Sequence, residues 1–419
     1  MLSAREAAFL SLNKIIYEGK YSNIETDVTV KRENLGGNEK NLYVRMVYGT
    51  LERMITLDFV LSHFSKTPLA KIEKKVLNIL RLGAYQILYL DGVPDSAACN
   101  ESVKLVKQYS HKGADGFVNG VLRNISRNKE NLPKPDEKDR LSVEYSCPHG
   151  IVDILVKDYG NEKAEKILGA MFIQPRITIH VNTLKTDRET LCGLIPSHTA
   201  DGCATALILD EGGADGLMEV IGKGLCFVQD VSSQLCAAAV DARPGMTVVD
   251  TCACPGGKSF AMALDMKNEG KIYSFDLHES KLSLIRDGAE KLGIGIIEPM
   301  QCDGEKGREE LFGKADRVLC DVPCSGLGVM AKKPELRFKK TEDIGKLPDI
   351  QYRILTASSS YLKSGGNLVY STCTLCRAEN GDNVRRFLAS NPDYELAEEH
   401  TLFPTEDSDG FYYAEMIKK

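Results

Sequence analysis

The chain has 419 residues, of which 43% are hydrophobic and 27% charged, a balance that excludes a disordered protein and allows two or three globular domains. Its net charge of −6 argues against a uniformly basic nucleic-acid-binding protein, but the charge is unevenly divided. Residues 1–140 contain 22 basic and 17 acidic side chains, a net charge of +5, which leaves −11 for the rest. That asymmetry permits phosphate contact through the N-terminal part, although +5 is also typical of an ordinary solvated surface.

The chain is predicted to be soluble and cytoplasmic, with no membrane contact. Residues 1–9 carry Arg5 and Glu6 instead of a continuous apolar core, and no apolar run approaches the length of a membrane span. The thirteen cysteines are interpreted as reduced thiols. Neither the 252/254 nor the 373/376 cysteine pair has a second pair of ligands at zinc-finger spacing, so no metal site is expected.

Residues 1–132 are predicted to form an all-helical domain. Apolar side chains recur at helical spacing, and Gly, Pro and Asp separate the segments, which are 4–17, 41–62, 76–88, 95–109 and 116–127. The basic residues expected on the surface of this domain are Lys71, Lys74, Lys75, Arg123 and Arg127. A basic helical bundle of this kind is either an RNA-binding domain or a docking domain without RNA contact.

A proline-rich linker over residues 131–136 separates the helical domain from two further domains. Residues 141–228 mix helical patterns at 150–159 and 163–172 with short strand-like runs, which predicts a small α+β module.

Residues 229–419 alternate strand and helix patterns, which predicts a Rossmann-like α/β domain. The predicted strands are 248–250, 271–276, 295–300, 317–321, 367–372 and 412–417. In such sheets ligands bind at the carboxyl ends of parallel strands. Since Asp250, Asp276, Asp303 and Asp321 each follow a strand, we expect them to share one site.

Residues 250–259, DTCACPGGKS, are typical of a cofactor loop between a strand and a helix. The loop is not a P-loop, because Cys252 occupies the position of the first glycine. Its Pro-Gly-Gly turn lets a flat ligand approach the backbone closely. Asp276 lies about where a ribose-binding acid is found in mononucleotide folds. An adenosine without phosphates suits this site better than ATP or NAD.

The residues that carry a family resemblance are Asp250, Cys252, Ala253, Pro255, Gly256, Gly257 and Lys258. Their pattern resembles the S-adenosylmethionine motif of the RNA cytosine-C5 methyltransferases of the RsmB/NOP family. The chain departs from it by Cys254, where the family mostly has Ala, and by Ser259, where it mostly has Thr. The resemblance implies a ferredoxin-like fold for the small module. It also implies S-adenosylmethionine as cofactor, bound by Cys252, Ala253, Cys254, Pro255, Gly256, Gly257, Lys258, Asp276, Asp303 and Asp321.

Asp276 and Asp303 have a second interpretation, as helix N-caps. Residues 229–234 resemble the family segment that borders the methionine end of the cofactor. A basic run follows the predicted strand 317–321 and consists of Lys332, Lys333, Arg337, Lys339 and Lys340. It is either a solvated face or a contact with RNA phosphate.

Two cysteines follow predicted strands, Cys324 in the Asp-Val-Pro-Cys segment and Cys373 in Ser-Thr-Cys-Thr. Carbon methylation of cytosine requires a thiolate, because C5 is not nucleophilic until a nucleophile adds to C6. The family resemblance implies that Cys373 attacks C6, that Cys324 assists product release and that Asp321 hydrogen-bonds the base. Cys373 needs a lowered pKa or a base, and Lys258 is one candidate for lowering it.

Residues 116–123, GFVNGVLR, resemble the start of the C-terminal helix of the antitermination factor NusB. A NusB-like domain joined to this catalytic domain resembles the bacterial 16S rRNA branch of the family, the RsmB/Sun type. That resemblance implies 16S rRNA as substrate, naked or in an early assembly intermediate, with cytosine 967 as target. No feature indicates an obligate protein partner. A tRNA cytosine-C5 methyltransferase and a non-catalytic RNA-binding assembly factor remain as alternatives.

Overall fold

The computed structural model describes residues 2–111, 113–173 and 175–419. The chain divides into two compact units, Met1–Phe172 with Lys333–Phe338, and Ile173–Lys332 with Lys339–Lys419. Within the described ranges, no helix combines the length and the apolar composition that crossing a membrane requires.

The first unit is helical, as predicted. Its helices are α1 Ala4–Glu18, α2 Ser22–Glu33, α3 Gly37–Glu52, α4 Met54–Phe64, α5 Lys74–Tyr89, α6 Asp95–Tyr109, α7 Ala114–Arg127, α8 Arg140–Glu144, α9 His149–Tyr159 and α10 Asn161–Ala170. Buried apolar side chains from α1 and α3–α7 form one core. The helix predicted over 41–62 is two helices, because the chain leaves helical geometry at Arg53 (φ −103°, ψ 11°).

The basic side chains predicted on the surface of this unit are exposed, namely Lys71, Lys74, Lys75, Arg123 and Arg127. Helix α2 was not predicted, because the side chains that it buries are the polar ones of Ser22, Glu25, Thr26 and Thr29. Apolar periodicity therefore gives no signal over this segment.

The first unit includes α8–α10, which lie within the range predicted for the small α+β module. Two hydrogen bonds tie the α8 region to α4. Thr56 Oγ1 donates to the carbonyl of Val143 at 2.5 Å, and the backbone N–H of Ile55 donates to Ser146 Oγ at 3.0 Å. The proline-rich linker is therefore a loop within the unit.

Arg337 is the largest fully buried side chain of the first unit, although it comes from the segment Lys333–Phe338. Its guanidinium donates to the carbonyls of Glu52 at 2.6 Å and of Met171 at 3.2 Å, and lies 4.8 Å from the centre of the Phe172 ring. Burial lowers the pKa of Arg337. The side chain thus satisfies carbonyls that would otherwise be buried without donors.

Substitution of Arg337 by methionine keeps most of the side-chain volume and removes these donors. We expect it to lower the free energy of unfolding by roughly 3 kcal/mol, because buried carbonyls are left unsatisfied. Urea denaturation followed by circular dichroism would measure the change. The exposed Lys340→Met variant is the control and should change stability by less than about 0.5 kcal/mol. Equal stability of both variants would contradict the anchoring role.

The second unit begins with a small module in which strands and helices follow the order βαββαβ. Its elements are β1 Thr178–Val181, α11 Arg188–Leu194, β2 Ser197–Thr199, β3 Ala206–Leu209, α12 Leu217–Gly222 and β4 Cys226–Val228. The antiparallel sheet has the order β2-β3-β1-β4. This is the ferredoxin-like topology that the family resemblance implied.

The rest of the second unit is Rossmann-like, as predicted. Its elements are α13 Val231–Ala239, β5 Thr247–Asp250, α14 Gly257–Asp265, β6 Lys271–Asp276, α15 Leu282–Leu292, β7 Ile297–Gln301, β8 Ala315–Asp321, α16 Thr341–Ile344, α17 Leu347–Ser359, β9 Leu362–Thr372, α18 Gly381–Ser390, β10 Tyr394–Leu402 and β11 Phe411–Lys418. The sheet order is β10-β11-β9-β8-β5-β6-β7. Neighbouring residues of β5 face opposite cores, since Val248 packs with α13–α15 and Val249 packs with α17 and α18.

Five neighbouring strands of this sheet are parallel, and the two C-terminal strands are not. β9, β8, β5, β6 and β7 pair in parallel, whereas β11 is antiparallel to both β9 and β10. The sequence predicted β11 but not its direction, and it did not predict β10. Most residues of β10 are exposed, so its apolar pattern is weak. The parallel strands bring their carboxyl ends to one edge of the sheet.

Candidate active site

The residues predicted to act in catalysis lie at this edge of the sheet. Asp250 ends β5 and Asp321 ends β8. Cys373 directly follows β9, which pairs in parallel with β8. Cys324 lies three residues beyond Asp321 in the loop after β8.

A cavity of about 210 Å³ opens beside the cofactor loop. It is lined by Val228, Gln229, Asp230, Ser233, Asp250, Cys252, Ala253, Cys254, Pro255, Gly257, Lys258 and Asp321. Gly256 adopts a φ of +112° just before α14, a conformation that other residues rarely adopt. A Cβ atom at Gly256 would also lie 2.6 Å from the Phe260 ring. Glycine is therefore required where the loop turns into the helix.

Asp250, the last residue of β5, fixes the cofactor loop through a hydrogen bond. Its carboxylate is 1% exposed and accepts a hydrogen bond from Ser259 Oγ at 2.7 Å. Ser259 Oγ also lies 2.7 Å from Ser274 Oγ on the neighbouring strand. Burial raises the pKa of Asp250 to about 7. Ser259 stands where the family mostly has threonine, so a hydroxyl is present at this position in both cases. This hydroxyl joins the cofactor loop to β5 and β6.

The two predicted catalytic cysteines are in contact. The sulfurs of Cys324 and Cys373 are 3.1 Å apart, and both side chains are half-buried. The hydrogen bond to Cys373 and burial raise the pKa of the Cys324 thiol well above its usual value. Either sulfur can be the donor in this hydrogen bond. If Cys324, whose pKa is raised, holds the proton, the contact favours a thiolate on Cys373.

Lys258 and Asp321 form an ion pair at the wall of the cavity. Lys258 Nζ lies 2.7 Å from Asp321 Oδ2, and Ser371 Oγ donates to the other oxygen, Oδ1, at 2.8 Å. Burial opposes a charge on Lys258, but Asp321 raises the pKa of this ammonium above its usual value. Lys258 thus remains a cation, and its charge also interacts with Cys373.

The loop that carries Cys324 is fixed by close backbone contacts. The N–H of Gly328 donates to the carbonyl of Cys373 at 3.1 Å, and the N–H of Gly410 donates to the carbonyl of Gly328 at 2.9 Å. A Cβ atom on Gly328 would overlap the carbonyl oxygen of Gly410. Glycine at position 328 is therefore needed to bring the two loops together.

We expect Gly328→Ala to destabilise the second unit by roughly 2 kcal/mol, because the added methyl group forces the two loops apart. Since Gly328 bonds the backbone of Cys373, methyl transfer should fall as well. Gly295→Ala is the matched control, because a Cβ atom there meets open space. Thermal unfolding and a methyl-transfer assay would measure both effects. A Gly328→Ala variant as stable and active as the control would contradict this interpretation.

Comparison with known proteins places the chain in a family. Residues 237–417 match the family described as 16S rRNA methyltransferase RsmB/F, and residues 2–127 match the NusB family. A probable ribosomal RNA small subunit methyltransferase B from Bacillus subtilis is 39% identical over 404 residues, which cover 94% of this chain and 90% of the relative. The chain belongs to the RsmB/F methyltransferase family.

Two further comparisons agree with this assignment. The ribosomal RNA small subunit methyltransferase B of Escherichia coli is 28% identical over 437 residues, covering 99% of this chain and 98% of the relative. The crystal structure of PH0851 has the same fold, with a TM-score of 0.84 and 24% identity over 100% of this chain and 99% of that one.

S-adenosylmethionine is the cofactor of this RsmB/F-family chain. The cavity lies beside the Pro-Gly-Gly turn, where the backbone is open to a flat ligand. The lining of the cavity combines this turn with acidic side chains, of which Asp321 is paired with Lys258 and Asp230 with Lys332.

Not all of the predicted cofactor residues line the cavity of this RsmB/F-family site. Gly256, Asp276 and Asp303 are not among its lining residues. Asp276 accepts a hydrogen bond from the N–H of His278 at 2.9 Å, and Asp303 accepts one from Glu305 at 3.1 Å. Both carboxylates thus order the turns that follow their strands. Neither is a helix N-cap, because the helical segments that follow are capped by His278, Lys281 and Arg308, so the capping interpretation is wrong. The contacts of Asp276 and Asp303 with the cofactor remain a prediction.

Three of the five side chains in the basic run after the catalytic loop are engaged within the fold, whereas Lys333 and Lys340 are exposed and remain candidates for contact with RNA phosphate. Lys332 pairs with the carboxylates of Asp230 at 2.6 Å and Asp409 at 2.8 Å. Lys339 donates to the carbonyls of Cys324 and Ser325. Arg337 is buried in the helical unit. A contact with RNA phosphate is therefore wrong for Arg337, and Lys332 and Lys339 are engaged within the fold.

The wall formed by Val228, Gln229, Asp230 and Ser233 was not included in the predicted cofactor site. These residues end β4 and begin α13, so they lie outside the strand-to-helix loop that carries the motif. The only signal in the sequence was the resemblance of residues 229–234 to a family segment.

Proposed function

We propose that the chain transfers a methyl group from S-adenosylmethionine to C5 of a cytosine in 16S rRNA through a covalent bond between Cys373 and C6. The observation that carries this proposal is the contact between two thiols beside the cofactor cavity, with sulfurs 3.1 Å apart. A methyltransferase that modifies an amine or hydroxyl needs no such pair. Methylation at C5 requires one thiol to add to the base and a second group to take the C5 proton.

In the first step the Cys373 thiolate adds to C6 and the C5–C6 double bond opens, so that C5 becomes a nucleophile. Cys324 holds its own proton at this stage, because the neighbouring Cys373 raises its pKa. Lys258 supports the thiolate through its charge. Asp321, held by Lys258 and Ser371, keeps lone pairs free to accept a hydrogen bond from the cytosine amine.

The cofactor supplies the methyl group to C5. The residues that would hold it are those that line the cavity, namely the 252–258 loop together with Asp230 and Asp321.

In the last step the C5 proton is removed, the C5–C6 double bond forms again and Cys373 leaves as a thiolate. Once its sulfur is bonded to carbon, Cys373 carries no negative charge, so the main cause of the raised pKa of Cys324 is gone. Cys324 can then lose its own proton to solvent and, as a thiolate, accept the proton that leaves C5. We therefore give the role of nucleophile to Cys373 and the role of base to Cys324, and the contact between the two sulfurs supports a division of roles between them.

The substrate proposal rests on the family and on the helical unit. The curated relatives are named as small subunit ribosomal RNA methyltransferases, and the N-terminal residues match the NusB family. The helical unit exposes the five basic side chains that were predicted to contact RNA. We propose that this unit binds 16S rRNA, naked or in an early assembly intermediate, and that cytosine 967 is the target.

The decisive experiment is transfer of labelled methyl from S-adenosylmethionine to deproteinised 16S rRNA from a strain that lacks this protein, with the modified nucleotide mapped. We expect label on C5 of one cytosine. Label on bulk tRNA and not on rRNA would show that the substrate is tRNA, while the proposed methylation chemistry would still hold. Absence of label on both RNAs would favour a non-catalytic assembly factor.

A further inference from the structure

Glu379 is a fully buried acid close to the two cysteines, and the proposed mechanism does not use it. It lies six residues beyond Cys373, just before α18. Its oxygen Oε2 accepts hydrogen bonds from the backbone N–H of Ser325 at 2.9 Å and from Gln351 Nε2 at 2.8 Å. The other oxygen, Oε1, is buried and has no hydrogen-bond partner among the described residues. A buried carboxyl group with one unpaired oxygen calls for a role beyond packing.

The backbone on both sides of Cys324 is tied to this carboxyl group. Glu379 accepts the N–H of Ser325, the residue after the cysteine. Gln351, on α17, donates from the same Nε2 group to Glu379 and to the carbonyl of Pro323, the residue before the cysteine, at 3.0 Å. The segment that carries Cys324 is therefore held at both ends by one pair of buried side chains.

A further contact joins this segment to the loop that carries Cys373. Ser325 Oγ lies 2.6 Å from Oγ1 of Thr374, the residue after Cys373, and both side chains are buried. Because Glu379 holds Ser325, it contributes to the position of the loop after β8 relative to the loop after β9. It thereby supports the contact of 3.1 Å between the sulfurs of Cys324 and Cys373.

The hydrogen bonds of Glu379 favour its ionised form. Oε2 already accepts two hydrogen bonds, and a proton on Oε1 would be a buried donor without an acceptor in the described part of the chain. Burial raises the pKa of Glu379, whereas the hydrogen bonds from Ser325 and Gln351 and the charge of Lys339 lower it. Lys339 itself donates to the carbonyls of Cys324 and Ser325. A negative charge is therefore held at the loop of Cys324.

The two thiols face groups of opposite charge. The hydrogen bond to Cys373 and burial are the main causes of the raised pKa of Cys324, and the charges of Glu379 and Asp321 add to it. Lys258 is the cation whose charge interacts with Cys373. A negative charge disfavours ionisation of the group that it faces, and a positive charge favours it. Glu379 therefore favours a thiol on Cys324 and a thiolate on Cys373.

We propose that Glu379 is the positioning residue for Cys324, because its carboxylate holds the backbone on both sides of this cysteine and its negative charge keeps the shared proton on Cys324 while Cys373 attacks. The roles of the two thiols rest on the proposed function. The effect of Glu379 on them belongs to the chain without RNA, so it can be measured independently of methyl transfer.

The first measurement is the rate at which iodoacetamide alkylates each cysteine of the full chain at about pH 8, followed by peptide mass spectrometry. Glu379→Gln keeps an acceptor for Ser325 and removes the charge. Cys324 should then react about 4-fold faster, because a roughly tenfold gain in thiolate is partly offset by the lower nucleophilicity of that thiolate. Cys373 should not gain reactivity, because the proton lost by Cys324 moves toward Cys373.

Asp382→Asn is the matched control, because Asp382 follows closely in the chain, is exposed and pairs with Arg385. It should change neither rate. An unchanged reactivity of Cys324 in Glu379→Gln would overturn the proposal. Equal acceleration of Cys320, a buried cysteine of β8, would overturn it as well, since the substitution would then act by opening the fold.

Gln351→Met tests the hold on the loop separately, since it keeps the charge of Glu379 and removes the donor to Glu379 and Pro323. The rate of methyl transfer at saturating RNA should fall about 10-fold, because Cys324 is no longer fixed, while the KM for RNA stays within about 2-fold. An unchanged rate would overturn the proposal, also where Glu379→Gln does not fold. Absence of methyl transfer in the unsubstituted chain would refute the proposed function, whereas the alkylation rates would still decide the role of Glu379.

Discussion

Substitution of Cys373 by serine is expected to lower methyl transfer to RNA by about 10⁴-fold or more. A serine hydroxyl has a much higher pKa than a thiol and is a much weaker nucleophile toward C6. The hydroxyl also cannot form the thiolate that the Cys324 proton stabilises in the unsubstituted chain. Transfer of labelled methyl under single-turnover conditions would measure the loss.

Two controls separate this effect from a loss of folding. Binding of S-adenosylhomocysteine to Cys373→Ser should be unchanged, because Cys373 does not line the cofactor cavity. Cys192→Ser, in the small module, should keep full activity, because its thiol lies far along the chain from the loops after β8 and β9. Retention of a tenth of the activity by Cys373→Ser would refute a nucleophilic role.

The sheet and its site could be predicted because two independent patterns coincide in the sequence. Short apolar runs alternate with helical periodicity, and an acid or a cysteine follows several of those runs. Parallel pairing then places the end of β8 beside the end of β9, so Asp321 and Cys373 come to the same edge of the sheet although they are 52 positions apart in the chain. The ion pair of Lys258 with Asp321 follows from the same geometry.

What the sequence did not predict depends on contacts made by polar side chains. Arg337 belongs to a basic run that looks solvated, but its guanidinium satisfies buried carbonyls of the helical unit. A charge pattern in the sequence shows where the cations are. It does not show which carbonyl groups of the folded chain need a hydrogen-bond donor. Lys332 shows the same limit, because its partners Asp230 and Asp409 lie 102 and 77 residues away.

The boundary of the helical unit and the wall of the cavity were missed for a related reason. The linker composition of residues 131–136 suggested a domain boundary, but α8–α10 pack with the first unit through contacts such as that of Thr56 with Val143. His180 is a single histidine in an apolar strand, and its hydrogen bond to Gln229 joins residues 49 positions apart. Neither contact has a periodic signal in the sequence.

Substitution of Cys324 by serine is expected to trap a covalent complex between Cys373 and RNA. The nucleophile is intact in this variant, so attack on C6 and methylation of C5 proceed. A serine hydroxyl is a poor base for the C5 proton, so elimination of Cys373 becomes slow. Turnover should fall by roughly 10²–10⁴-fold, the usual contribution of a general base.

The trapped complex would appear as a band of protein and RNA that survives denaturing electrophoresis and requires S-adenosylmethionine for its methyl label. The double variant with Cys324→Ser and Cys373→Ser is the control and should give no such band. Loss of activity without an adduct in Cys324→Ser would contradict the assignment of proton removal to Cys324. An adduct in the double variant would instead contradict the assignment of the nucleophile to Cys373. Because the two thiols touch at 3.1 Å, only the pair of variants, and not either alone, separates the roles of nucleophile and base.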